Sequence, residues 1–73
     1  MNKHQAFYEE VTHKLRLIRG RIGENIHVLR RQRKRPLKKL SRLSQLKQDT
    51  IGCLGIGKGE INLMYLVRLS IAL

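Results

Sequence analysis

Acidic side chains are scarce in this chain. Glu9, Glu10, Glu24, Asp49 and Glu60 stand against 16 lysines and arginines, a formal net charge of +11. Carboxylates so dispersed offer no pair for acid–base work. Tryptophan is absent, and Phe7, Tyr8 and Tyr65 are the only aromatics, which argues against a surface that stacks bases on rings. The lone cysteine, Cys53, has no internal disulfide partner and fits a reducing compartment. Long apolar runs are missing too. The longest stretch, 61–73, is broken by Asn62 and Arg68 and is too short to span a bilayer. The opening MNKHQAFYEE has no hydrophobic centre of the kind a secretory leader carries. These absences predict a cytoplasmic chain with no membrane partner.

Catalytic and metal chemistry find little support. His4, His13 and His27 lack ligand spacing and lie far in sequence from Cys53, so no metal site is expected. Ser41, Ser44 and Ser70 have no matching base and acid, so no nucleophilic triad is expected. The string CLGIGKGE lacks the four-residue gap and the hydroxyl residue after lysine that a phosphate loop requires. Neither an enzyme nor a cofactor is expected.

What the chain does have is basic charge and helical periodicity. A surplus of +11 in 73 residues points to a polyanionic partner. That length is one domain with a limited core, so stability is modest or depends on a partner. Phe7, Val11, Leu15, Ile18, Ile22, Ile26 and Leu29 recur every three or four residues, a helical stripe. Gly20 and Gly23 interrupt it at roughly 1 kcal/mol each against alanine. With no cap residue before Ile22, the pattern predicts two helices in line, joined or kinked near Gly20. Pro36 ends that segment and suits the start of the next.

A second helix is expected from about 36 to 44, with Leu37, Leu40 and Leu43 on one face. A third is expected from 48 to about 54. Gly55, Gly57 and Gly59 should end it and build a loop. A fourth is expected over 61–73, with Asn62 as its N-cap. Leu63, Leu66, Leu69, Ile71 and Leu73 form its expected buried stripe. Between the second and third helices only a short polar turn remains. In a chain this basic, that arrangement suggests a helix entering a DNA groove.

The run Arg30, Arg31, Arg33, Lys34, Arg35, Lys38 and Lys39 contains no acidic residue. Arginine-rich segments of this kind also bind RNA through phosphate and guanidinium stacking.

Residues 22–73 resemble the phage repressor/Cro-type helix-turn-helix family. IGENIHVLRRQRK looks like that family's first helix, LSRLSQLKQDTI like its helix-turn-helix, and GKGEINLMYLVRLSIAL like its Gly-Lys loop and fourth helix. The likeness runs without a gap over about two thirds of the chain. It implies an all-α bundle of four to five helices, lambda-repressor-like, with 21–73 as the DNA-binding domain and 1–20 as a helical extension. It also implies a cytoplasmic transcriptional regulator from a bacterium, phage or mobile element.

By resemblance, the helix over 48–54 is the recognition helix, with Lys47, Gln48, Asp49, Gly52 and Cys53 outward. Gln48 stands where the family frequently has glutamine, a residue that can bond adenine N6 and N7 together. Lys47 can meet phosphate or guanine. Asp49 can accept from a cytosine amine or cap the helix. Cys53 is a small groove-facing side chain, or a thiol sensitised by nearby cations. Arg30, Lys38, Lys39 and Lys58 are the expected phosphate contacts.

The chain departs from the family pattern in two residues. Gly55 replaces a glutamate that usually pairs with an arginine at the position of Arg30, and Leu37 replaces a polar opener of the second helix. The likeness gives out at Leu73, where the family usually adds a fifth helix, so the N-terminal stripe is expected to supply cover or a dimer seam. The partners implied are double-stranded DNA and a second copy of the chain. A different class of function is an antitoxin-like module that binds another protein through the N-terminal apolar stripe.

Overall fold

A computed structural model describes residues 3–73, and these are all helical with irregular connections. Four helices follow one another: α1 (Lys3–Gln32), α2 (Leu37–Ser44), α3 (Gln48–Gly55) and α4 (Leu63–Ala72). A 30-residue helix is about 45 Å long, so α1 sets the long axis of a molecule measuring 47 × 20 × 18 Å. The helix passes through Gly20 and Gly23 without interruption. The expected pair of helices in line is therefore a single rod. It also crosses the boundary drawn between residues 20 and 21. Met1 and Asn2, the start of the expected extension, lie outside the described residues.

The core occupies one end of that rod. Ile26, Leu40, Leu46, Ile51, Leu54, Leu69 and Ala72 are buried together, with Ile22, Leu37, Tyr65 and Leu73 packed against them. Helix α3 packs on α1, and α2 packs on both α3 and α4. Residues 3–18 of α1 are exposed throughout. The last helix buries only part of the stripe expected, with Leu73 packed against the core. Leu69 and Ala72 face inward, whereas Leu63 is 76% exposed and Ile71 80%. Leu43 is exposed as well.

The glycines have a packing role that periodicity does not reveal. A Cβ on Gly23 would lie 2.5 Å from the Gly55 carbonyl oxygen and 2.9 Å from that of Leu54. The backbones of α1 and α3 thus meet where neither helix carries a side chain between them. A Cβ on Gly55 would lie 3.1 Å from Nε2 of the exposed His27 ring.

Both long turns close in the same way. At the end of α1 the Arg35 amide donates to the Arg30 carbonyl (2.9 Å) and the Lys34 amide to that of Arg31 (3.3 Å), with Lys34 left-handed at φ 51°. At the end of α3 the Lys58 amide donates to the Cys53 carbonyl (2.9 Å) and the Gly57 amide to that of Leu54 (3.2 Å), with Gly57 at φ 75°. These paired bonds are Schellman caps that satisfy the final carbonyls. Asn62 caps α4 as expected, its Oδ1 accepting from the Met64 amide at 2.8 Å.

Two alanine substitutions should move stability in opposite directions. Gly23→Ala drives a methyl into the α3 backbone and should cost about 2–3 kcal/mol. Gly52 lies in a helix with nothing within 4 Å of a Cβ, so Gly52→Ala should add about 0.5–1 kcal/mol. Urea denaturation of both variants checks the pair.

Candidate nucleic-acid interface

The connection from α2 to α3 spans only residues 45–47. Gln45 takes the left-handed conformation at φ 59°, ψ 33° and reverses the chain. Two serines hold that reversal. Ser44, 3% exposed, donates from Oγ to the Leu40 carbonyl at 2.7 Å and accepts from the Leu46 amide at 3.3 Å. Ser41 donates from Oγ to the Leu46 carbonyl. Arg68 of α4 reaches the Gln45 carbonyl at 3.3 Å. These hydroxyls satisfy backbone groups that a tight buried turn would otherwise leave unpaired. They are local clamps, and the sequence carries no separate signal for them beyond serine's general preference for bonding its own backbone.

Helix α3 follows directly. Ile51 and Leu54 enter the core, at 2% and 3% exposure. The spacing of α3 leaves Gln48, Asp49, Gly52 and Cys53 on the other side, since residues four apart share a helix face. Together with Leu37 and Ile56 they line one shallow depression. Asp49 and Cys53 also border a second one toward Glu60 and Tyr65. Lys47 is exposed at the N-cap position and makes no side-chain cap bond. Asp49 stands in the first turn, where its charge suits the helix dipole. It is not the cap residue, so the capping role considered for it is not the one it takes.

The other basic residues expected at an interface fall into three places. Arg30 joins Arg31, Lys34 and Arg35 around an open concavity at the corner between α1 and α2. The Nε of Arg35 is covered there and donates to no protein acceptor. Lys38 and Lys39 lie on α2 and, with Arg42, border a neighbouring concavity that shares Pro36 with the first. Lys58 is exposed in the loop after α3 and lines neither. Among the described residues one ion pair forms, Lys14 to Glu10 at 3.4 Å on α1. The cations at the α1–α2 corner are thus not neutralised by the protein. Arg42 was not singled out from the sequence, although its place beside Lys38 and Lys39 could have been read from the four-residue spacing on α2.

The remaining polar candidates are accounted for locally. Ser70 donates to the Val67 carbonyl at 2.7 Å. Cys53 is a free, exposed thiol. Among the described residues no helix is long and apolar enough to cross a membrane. No family model, no curated protein and no solved structure matches this chain.

The serine clamp generates a test. Ser44→Ala removes the acceptor for the buried Leu46 amide and should cost about 1–3 kcal/mol. A chemical-denaturation midpoint unchanged from the native protein would show that the turn does not need it.

Proposed function

We propose that this protein is a sequence-specific DNA-binding transcriptional regulator of the repressor type. In this reading α2, the serine-clamped turn and α3 are a helix-turn-helix, and α3 lies in the major groove. The observation that carries the reading is the outer face of α3. Lys47, Gln48, Asp49 and Cys53 are exposed on a helix whose opposite side is locked in the core, in a chain with net charge +11. A helix anchored on one face and polar on the other can present side chains to base edges at fixed positions.

Gln48 is the residue for adenine, and Lys47 for guanine or the adjoining phosphate. Asp49 accepts from a cytosine amine, and Cys53 makes a small contact with a neighbouring base. Arg30, Lys38, Lys39 and Lys58 neutralise phosphates and set the register. Occupation of an operator then excludes or recruits the polymerase. Two copies would bind half-sites about one helical turn apart. The chain would work in the cytoplasm, on the nucleoid or on phage DNA.

The open cluster of Arg30, Arg31, Lys34 and Arg35 favours one other reading, RNA binding through the run 30–39. Competition separates the two: structured RNA that displaces duplex DNA at equal salt supports the RNA reading.

Selection of duplexes from a random pool should recover a palindromic site. Gln48→Ala should lose about 1–3 kcal/mol of discrimination at one adenine in each half. Recovery of the same site by the variant, with the same preference, would refute the reading. If about five phosphates are neutralised per protomer, log affinity should fall against log salt with a slope of roughly −4 to −5. Lys38→Gln, Lys39→Gln and Lys58→Gln should each flatten that slope by about 0.9. A slope unmoved by all three would exclude this footprint.

A further inference from the structure

The N-terminal half of α1 lies outside the core, and its large apolar side chains are exposed. Phe7 is 70% exposed, Tyr8 71%, Leu17 56% and Ile18 49%, with Val11 and Leu15 also open. A helical segment of sixteen residues (3–18), exposed throughout, is marginal in water by itself. Tyr8, Val11, Leu15 and Ile18 are separated by three, four and three residues, the spacing of an apolar two-helix seam. Phe7 and Lys14 flank it on one side, and Thr12 on the other.

Charge indicates what can lie against this seam. Residues 3–18 carry Lys3, Lys14 and Arg16 against Glu9 and Glu10, a formal +1. The remaining +10 of the chain's +11 begins at Arg19. The arm is therefore a place where two copies can meet without forcing their basic halves together. The other exposed apolar stripe, Leu63, Met64, Val67 and Ile71 on α4, lies on the basic half.

Charge decides the direction. A parallel, in-register pair would set the two basic halves side by side. An antiparallel pair centred on residue 13 sets Tyr8 against Ile18 of the second copy and Val11 against its Leu15.

We propose that residues 7–18 of α1 form an antiparallel two-helix seam with a second copy of this chain. The two basic cores then lie at opposite ends of the pair. Helix α3 meets α1 at Gly23, about ten residues from the dyad. At 1.5 Å per residue the two α3 helices stand about 30 Å apart along the pair. Successive major-groove faces are about 34–36 Å apart. This last consequence rests on the DNA-binding reading; the seam itself does not.

Two measurements without nucleic acid test the seam. Sedimentation equilibrium at about 100 µM, a concentration suited to a small interface, should give the mass of two chains for the native protein. Val11→Glu and Leu15→Glu should each give one chain, and Val67→Glu should still give two. A monomeric native protein overturns the proposal. So does a dimer that survives both arm substitutions or is lost with Val67→Glu alone. Direction is read from a spin label at Gln32→Cys in a Cys53→Ser background. The antiparallel pair places the labels about 60 Å apart by helix rise, whereas a parallel pair keeps them within about 25 Å. A short distance overturns the antiparallel register. Because no DNA is present, a failure here is separate from a failure of the α3 reading.

Discussion

The absence of a side chain at Gly23 is the constraint on which the rest of the structure depends. There the backbones of α1 and α3 approach until a single methyl would strike the Gly55 carbonyl. That approach brings Ile26 of α1 against the α3 residues Ile51 and Leu54 in one buried cluster. Once the inner side of α3 is fixed in this way, its outer side is fixed too. The exposure of Gln48, Asp49 and Cys53 is a consequence of the crossing rather than a separate feature. The turn before α3 is set by different means, through Ser41, Ser44 and left-handed Gln45.

The molecule divides its labour along α1. One end of the rod contributes Ile22, Gly23 and Ile26 to a small apolar core under a basic surface. The other end is nearly neutral and offers a bare apolar stripe. A chain of this length buries a limited core, and the part of α1 that projects beyond it leaves its large apolar side chains exposed. Keeping the surplus charge at one end lets the chain face a polyanion there and another copy at the other end. Both functions are proposals, but they draw on separate parts of the sequence.

Much of the backbone was legible in the residue pattern. Pro36, the short polar turn, the glycine cluster after α3 and the Asn62 cap predicted where helices start and stop. Each works through local chemistry that a sequence displays directly. What could not be read was which neighbour a residue meets. Gly20 and Gly23 read as a break in a periodic stripe, because periodicity cannot see a second helix that needs the space. The buried side of α4, where Leu69 faces inward but Leu63 and Ile71 do not, is only partly legible for a related reason. Leu63, Met64, Leu66, Val67, Leu69 and Ile71 are apolar on nearly every side of that helix, so no face is marked as inner. The serine clamp was hidden because hydroxyls that bond the backbone look the same in sequence as solvated ones. On the candidate interface, the outward set on α3 follows from helix geometry once Ile51 and Leu54 are known to be core. The grouping of Arg30 with Lys34 and Arg35 depends on the Schellman turn at Lys34.

The most direct measurement is a proton–proton Overhauser map of the labelled protein across the α1–α3 crossing. Contacts within about 5 Å are expected between the Gly23 α-protons and protons of residues 54–56, since backbones this close leave no room for an intervening side chain. Their absence, with Gly23 α-protons exposed to water and Ile51 in contact with other residues, would contradict the close crossing of α1 and α3.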